Sequence, residues 1–250
     1  MKVVGVIPAR FRSSRFPGKP LVPLLGSPMV VHVARLVALA LGHDRTFVAT
    51  ESGEIARVVE EHGFSAIMTT DRPLTGTDRV YEAAQHIDAD VYLNIQGDEP
   101  LLDPMDIRRI ADEKRGRRNQ VINGMCRIGP GEDPSNVNIP KVVTTEGNAL
   151  VYMSRLPIPG YKSPSQRPLY YLKQVCIYAF SFQELEQFGS FGRKSYLEEK
   201  EDIEILRFLD LGVPVHMVET GGASLAVDTP GDVVNVEEAM RARGRTALGD

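Results

Sequence analysis

The stretch IPARFRSSRFPGKPL, residues 7–21, crowds Arg10, Arg12, Arg15 and Lys19 into a chain whose formal net charge is −4. Arginine forks and a lysine point charge suit a polyphosphate, and Gly18 among them lets the backbone approach closely. The plainer alternative is a solvated basic loop paired with surface acids. Two aspartates carry complementary chemistry: Asp98 in NIQGDEP follows a strand-like run, and Asp228 in VDTPGD precedes a helix-like one. Each has a structural alternative, a Gly-Asp turn for Asp98 and a favourable acid before a helix amide end for Asp228. With the cationic loop, a metal and triphosphate site explains both together, because magnesium takes a few carboxylates plus phosphate oxygens and water. Arg79, in TGTDR, stands at a helix start. A cation gains nothing from the dipole there, so a phosphate or carboxylate partner is expected. Thr77 and Asp78 either cap that helix or face a pocket.

These residues need a scaffold, and the first half of the chain supplies one by alternation. KVVGVI, TFVAT, SAIMT and DVYLNIQ read as strands; SPMVVHVARLVALAL, GEIARVVEEHG, DRVYEAAQHI and DPMDIRRIADEKRG read as helices, the first opened by Ser27 and Pro28. Continuous apolar strands between amphipathic helices predict a doubly wound α/β fold with a mostly parallel Rossmann-like sheet. Further on, QVINGMCRI, KVVTTEGNALVYMS, LKQVCIYAF and VPVHMVE are strand-like, with a hairpin turn at Glu146, Gly147 and Asn148, and EDIEILRFLDLG is a helix ending at Gly212. RLPIPGYKSPSQRP reads as a loop or flap. A final helix is expected at DTPGDVV, with Thr229 as cap, Pro230 in the first turn and Asp232 near the amide end. The expectation is one domain, residues 1–250, with an inserted β-rich lobe at about 120–200.

In such sheets ligands bind beyond the carboxyl ends of the strands, and the loop after the first strand is the usual phosphate cradle. The basic stretch occupies that place, but contains neither GxGxxG nor GxxxxGK[ST], so it is neither a dinucleotide fingerprint nor a P-loop. The stretch instead resembles the IPARxxSxRxPGKPL signature of the 3-deoxy-manno-octulosonate (Kdo) cytidylyltransferases, which make a CMP-activated sugar acid from CTP. The resemblance continues through TGTDR, NIQGDEP, PKVV, SRLPIP, IYAF and VDTPGD, nearly the whole chain.

The resemblance implies magnesium held by Asp98 and Asp228, with Arg10 and Lys19 on the phosphates as catalytic residues. It implies a nucleotide site of Pro8, Ala9, Arg10, Arg15, Lys19, Thr75, Gly76 and Arg79, reading cytosine. It also implies an acceptor site of Arg79, Gln96, Arg155, Gln174, Tyr178 and Glu204, and a homodimer formed through the later β-rich segments and SFGRKSYLEEKEDIEI. Thr75 stands where the family most often has serine, which keeps the hydroxyl. Arg155 either clamps an acid or makes a surface ion pair, and Gln96 is either an acceptor contact or an amide at the edge of the core. Two positions depart from the family. KQVCIYAF places Gln174 where an HLGIYAY-like strand has histidine, and EILR places Ile205 where an EQLR-like helix has glutamine. Glutamine carries no charge and isoleucine neither donates nor accepts, so at least two polar contacts to the acceptor are expected to differ. The leading expectation is transfer of CMP to Kdo or a Kdo-like acid. The alternative within the class is a small acid such as a phosphonate, phosphonoformate for example, and a rival from another class is a nucleotide-binding regulator without turnover. Intact Lys19, Asp98 and Asp228 favour the enzyme.

The whole chain sets the remaining bounds. With 42% hydrophobic and 25% charged residues it reads as an ordinary soluble protein, and a pI near 5.8 argues against nucleic-acid or membrane-surface partners. No signal-like or membrane-spanning run is seen, so a cytoplasmic enzyme is expected. Cys126 and Cys176 follow no metal or redox spacing and are expected to be reduced core residues. None of His32, His43, His62, His86 and His216 sits in a ligand spacing or beside a nucleophile motif, so direct in-line attack on phosphorus is the expected chemistry.

Overall fold

A computed structural model describes residues 1–12, 16–222 and 225–244. In chain order it begins with β1 (Val3–Ala9), a short hairpin of β2 (Pro23–Leu24) and β3 (Ser27–Pro28), α1 (Met29–Leu41), β4 (Thr46–Thr50), α2 (Gly53–Glu61), β5 (Ser65–Met68), α3 (Gly76–Ala84), β6 (Val91–Ile95) and α4 (Pro104–Gly116). Then follow β7 (Val121–Arg127), β8 (Lys141–Thr144), β9 (Leu150–Ser154), β10 (Leu172–Phe180), α5 (Phe182–Ser190), α6 (Tyr196–Glu201), α7 (Leu206–Asp210), β11 (Val215–Glu219) and α8 (Asp232–Ala242). The main sheet runs in the order β11-β7-β10-β6-β1-β4-β5. Within it only β10 runs against its neighbours, pairing antiparallel with both β6 and β7. The fold is thus the expected mostly parallel α/β sheet.

The central strands β1, β6 and β7 are buried on both faces almost throughout, as a sheet covered by helices requires, while the edge strand β5 is only partly covered. One core packs α1, α2 and α4 on the sheet through Val37, Ile55 and Ile107, and a second packs α3, α5 and α7 through Val80, Phe188 and Phe208. A third, small cluster joins Leu24, Met29, Leu101, Val227, Val236 and Met240. It ties α8 to the segments that follow β6 and precede α8, which are the segments carrying Asp98 and Asp228.

Several expectations need adjustment. The strands at 121–127 and 172–180 belong to the central sheet and residues 182–210 hold short helices, so of that region only the β8–β9 hairpin, paired to β10, lies off the main strand order. That hairpin turns where expected, with Asn148 at φ 61° and its N–H donating to Thr145 O at 3.0 Å. Ser27 and Pro28 form the second strand of the small hairpin, and Pro28 leads directly into α1 as its N-cap without a side-chain capping bond. The helix expected over EDIEILRFLDLG is interrupted by Asp202 at φ 51°, which leaves only Leu206–Asp210 helical before Gly212. At α8 Thr229 is not the cap. The Asp232 carboxylate accepts from Thr229 N at 2.7 Å and from Asp228 N at 3.0 Å, so the helix-start acid anchors the segment before it. No helix among the described residues is long and apolar enough to cross a membrane.

Candidate active site

An open cleft of about 1230 Å³ runs across the carboxyl edge of the parallel strands, and every described member of the candidate set borders it. Arg15, with its neighbours Ser13 and Ser14, lies outside the described residues.

The basic loop leaves β1 through Pro8, Ala9 and Arg10. Its described ends are tied together by Gly18 N–H donating to Phe11 O at 2.9 Å. Gly18 sits at φ 69°, a left-handed conformation that favours glycine, and delivers Lys19 into a short 3₁₀ turn, Lys19–Leu21. The Lys19 ammonium then lies 2.6 Å from Asp98 Oδ2, 3.0 Å from Val227 O and 3.9 Å from Asp228 Oδ1. One cation therefore joins carboxylates that are 130 positions apart in sequence. The backbone locks the same junction, since Val227 N–H donates to Asp98 O at 2.9 Å.

The opposite wall is the amino end of α3. Thr75 is its cap: the hydroxyl accepts from Asp78 N at 3.2 Å and donates to Asp78 Oδ2 at 2.8 Å. Thr77 does not cap, because its hydroxyl donates to Glu204 Oε2 at 2.6 Å. Gly76 permits a close approach, for a Cβ there would stand 3.0 Å from Gln96 Nε2 and 3.3 Å from Pro8 Cγ. Arg79 has the carboxylate partner that its position called for. Its Nη2 lies 3.1 Å from Glu51 Oε2, a charge contact without hydrogen-bond alignment, and its Nη1 donates to Thr69 Oγ1 and Thr70 O. Burial pulls the Arg79 guanidinium below its ordinary pKa, and Glu51 opposes that pull.

The residues expected at the acceptor site divide into two kinds. Gln174 and Tyr178 on β10 and Gln96 just past β6 border the cleft, and burial raises the Tyr178 phenol well above its ordinary pKa, so it remains a neutral hydroxyl. Arg155 and Glu204 are engaged with the protein. Arg155 donates from Nε to Glu201 O, from Nη1 to Val137 O at 2.8 Å and from Nη2 to Asp202 O at 2.8 Å, which fastens the hairpin to the end of α6. Glu204 accepts from Gly76 N at 3.0 Å and from Thr77 N at 2.8 Å. It is a carboxylate on the amide end of α3, and burial raises its pKa while those donors oppose the rise.

Ile205 corrects an expectation. It packs in the core with Leu206 and Phe208 and does not border the cleft, so a change at this position does not remove a group from the floor. Cys126 is buried, which pushes its thiol up to about 11. Cys176 is free as expected but borders the cleft.

Other contributors carry local sequence signals of their own. Glu51, an acid just past β4, accepts from Phe11 N at 2.9 Å as well as meeting Arg79, and so links the basic loop to α3. Asn94 and Asn123 are polar residues in the middle of apolar strands, and both are fully buried. Arg207 is buried too, reaching Asp78 Oδ1 at 2.7 Å and Glu198 Oε1 at 2.6 Å while its guanidinium covers the Phe188 ring at 3.6 Å.

Residues 4–214 match the cytidylyltransferase family. The chain is 36% identical over 251 residues to the 3-deoxy-manno-octulosonate cytidylyltransferase of Trichlorobacter lovleyi, an alignment that covers 96% of this chain and 99% of that one. It is also 36% identical over 242 residues to that of Escherichia coli, covering 96% of each. Its backbone matches a solved structure of CMP:2-keto-3-deoxy-manno-octonic acid synthetase complexed with CTP at a TM-score of 0.89 and 34% identity, over 97% of this chain and 100% of that one. The inositol-1-phosphate CTP transferase of T. maritima shares the fold at a TM-score of 0.69 and 17% identity, over 100% of this chain and 97% of that one. With a basic loop after the first strand meeting two carboxylates from distant segments, and with relatives aligned over nearly their full length, the chain belongs to the cytidylyltransferase family.

Proposed function

We propose that this protein transfers the CMP moiety of CTP to a hydroxyl of 3-deoxy-manno-octulosonate or a closely similar sugar acid, releasing pyrophosphate. The observation that carries the reading is the meeting of Lys19 with both Asp98 and Asp228 at the cleft. The names of the near full-length relatives supply the nucleotide and the acid.

The acceptor oxygen attacks the α-phosphorus in line with the leaving group. A new phosphorus–oxygen bond forms, the hydroxyl proton passes to solvent, the bond to the bridging oxygen breaks, and its electron pair departs with pyrophosphate. Lys19, Arg10 and, from the same loop, Arg15 neutralise the polyphosphate, while the Thr75–Arg79 segment and Pro8 flank the nucleotide. Fixed cations act strongly here because they are in place before charge develops. Gln96, Gln174 and Tyr178 orient the acid from the floor, while Glu204 and Arg155 hold the walls.

A pair of carboxylates suits magnesium, which dehydrates reluctantly and completes its shell with phosphate oxygens and water. Asp98 and Asp228 fit that donor set, since both already face one protein cation. They would hold the ion, which would supply further charge neutralisation on the triphosphate. A homodimer is part of the reading. Val151, Leu156, Leu169 and Tyr196 expose apolar surface on the β8–β9 hairpin, the loop after it and α6, and sedimentation at a single-chain mass would remove that part.

The test is pyrophosphate release with CTP, magnesium and a panel holding Kdo, other 2-keto sugar acids and phosphonoformate. Release with Kdo and inversion at phosphorus are expected. Release with phosphonoformate alone would assign a phosphonate acceptor, tight CTP binding without release on any acid would assign a regulator, and comparable turnover with UTP would overturn the base assignment.

A further inference from the structure

Tyr178 on β10 is the register partner of both Asn94 on β6 and Asn123 on β7, so the three lie abreast. Cross-strand partners send their side chains to the same face. Between Val175 and Tyr178 the β7–β10 ladder shifts register. Asn123 serves the backbone at that interruption, its Nδ2 donating to Val175 O at 2.9 Å and to Ile177 O at 3.0 Å. Both amide hydrogens are thereby spent. The atom left facing Gln174 is a carbonyl oxygen, which only a donor can meet.

Gln174 meets it with Nε2, at 3.0 Å. The network therefore sets the amide orientation of Gln174: the NH2 group faces Asn123, and Oε1 is turned away from it on a residue that borders the cleft. Among the described residues no N–H or O–H bonds to that oxygen. A weaker version of the device stands on the other side of Tyr178. There Gln96 Nε2 donates to Asn94 Oδ1 at 3.4 Å, and Asn94 Nδ2 donates to Thr77 Oγ1 at 3.1 Å.

We infer that Asn123 is a positioning residue for acceptor recognition, and that position 174 presents an uncharged acceptor oxygen which meets a hydroxyl of the bound acid and not one of its anionic oxygens. The inference rests on the cytidylyltransferase reading and says how its acceptor is read. A hydroxyl donates to Oε1, whereas an anionic oxygen would set two acceptors face to face. The amide does not titrate, so the contact keeps its polarity across the neutral pH range.

The test uses the full-length enzyme with CTP, magnesium, Kdo and Kdo analogues that each lack one hydroxyl. Wild type is expected to lose roughly tenfold in kcat/KM on one analogue, the scale of one hydrogen bond. Gln174→Met should raise KM for Kdo by about tenfold, leave kcat and KM for CTP near wild type, and treat that analogue and Kdo alike. Asn123→Leu should blunt the same preference and, added to Gln174→Met, should raise KM for Kdo no further. If Asn123→Leu does not fold, the Gln174→Met arm decides alone. An unchanged KM for Kdo in Gln174→Met, or a preference that survives it, overturns the inference and leaves the reaction intact. Failure of the wild-type enzyme to form CMP–Kdo overturns the functional reading instead, and the inference with it.

Discussion

The ammonium of Lys19 lies 2.6 Å from the carboxylate of Asp98, with neither side chain more than a quarter exposed. Asp228 lies within 3.9 Å of the same nitrogen. Asp98→Asn and Asp228→Asn each keep the shape and remove the charge. Each is expected to lower kcat/KM by at least about 10²-fold, the scale of one electrostatic contributor. Magnesium titrations of pyrophosphate release check this, and near-normal rates at ordinary magnesium in both variants would dismiss the assignment.

Glu204 joins two of its oxygens to the amide end of α3. Glu204→Ala leaves those amides without their partner, and the fold is expected to lose about 1–3 kcal/mol. Because Thr75, Gly76 and Arg79 ride on that end, KM for CTP should rise as well. Urea unfolding alongside CTP titration tests both parts; a stability loss with unaltered KM for CTP would separate this helix end from the nucleotide.

Arg207 is buried with carboxylates on both sides, Asp78 and Glu198. Removing the cation strands two acids, a loss on the order of 3–5 kcal/mol for a buried pair. Arg207→Met should therefore lower the unfolding midpoint far more than Arg57→Met, whose ion pair with Glu61 is exposed. Equal midpoints for the two variants would contradict the proposed weight of the network.

Ile205→Gln, which would restore the family's residue, is expected to damage stability rather than alter acceptor choice. The side chain is buried among Leu206 and Phe208, and an amide there costs about 1–3 kcal/mol without a partner. The acceptor panel should be unchanged in rank. A new acceptor preference would show that this position does reach the ligand.

His32 is held neutral in the fold. Burial lowers its pKa below the ordinary 6.5, and its Nε2 lies 2.7 Å from Leu24 O. The unfolded chain takes up a proton below that ordinary value while the folded chain resists it, so the contribution is full above pH 6.5 and is lost as pH falls beneath it. Burial moves His216 in the same direction. Unfolding midpoints between about pH 8 and 5 should decline on the acid side. His32→Gln, which keeps a donor for Leu24 O, should flatten part of that decline, and an unflattened slope would reassign it to other groups.

The main sheet was legible because its signals are local. Apolar runs such as TFVAT and DVYLNIQ are strands wherever they pack, and the helices between them declare their buried faces by spacing. Errors gathered where one residue's role depends on a distant one. Thr77 stayed open between a cap and a pocket role until Glu204 took its hydroxyl, and Thr229 gave way to Asp232 because the helix began later. Ile205 was an apparent lost contact until the turn into the short helix α7, which it precedes, placed its side chain in the core.

By itself the sequence determined the family, since IPARFRSSRFPGKPL, NIQGDEP and VDTPGD are contiguous motifs whose resemblance to the cytidylyltransferases needs no distances to read. Only the tertiary structure decided which atoms of the glutamines face outward, which arginine is structural and which acids share a cation. Hydrogen-bond polarity and charge pairing are set by partners that approach across the sheet, and the order of residues along the chain carries no distance between them.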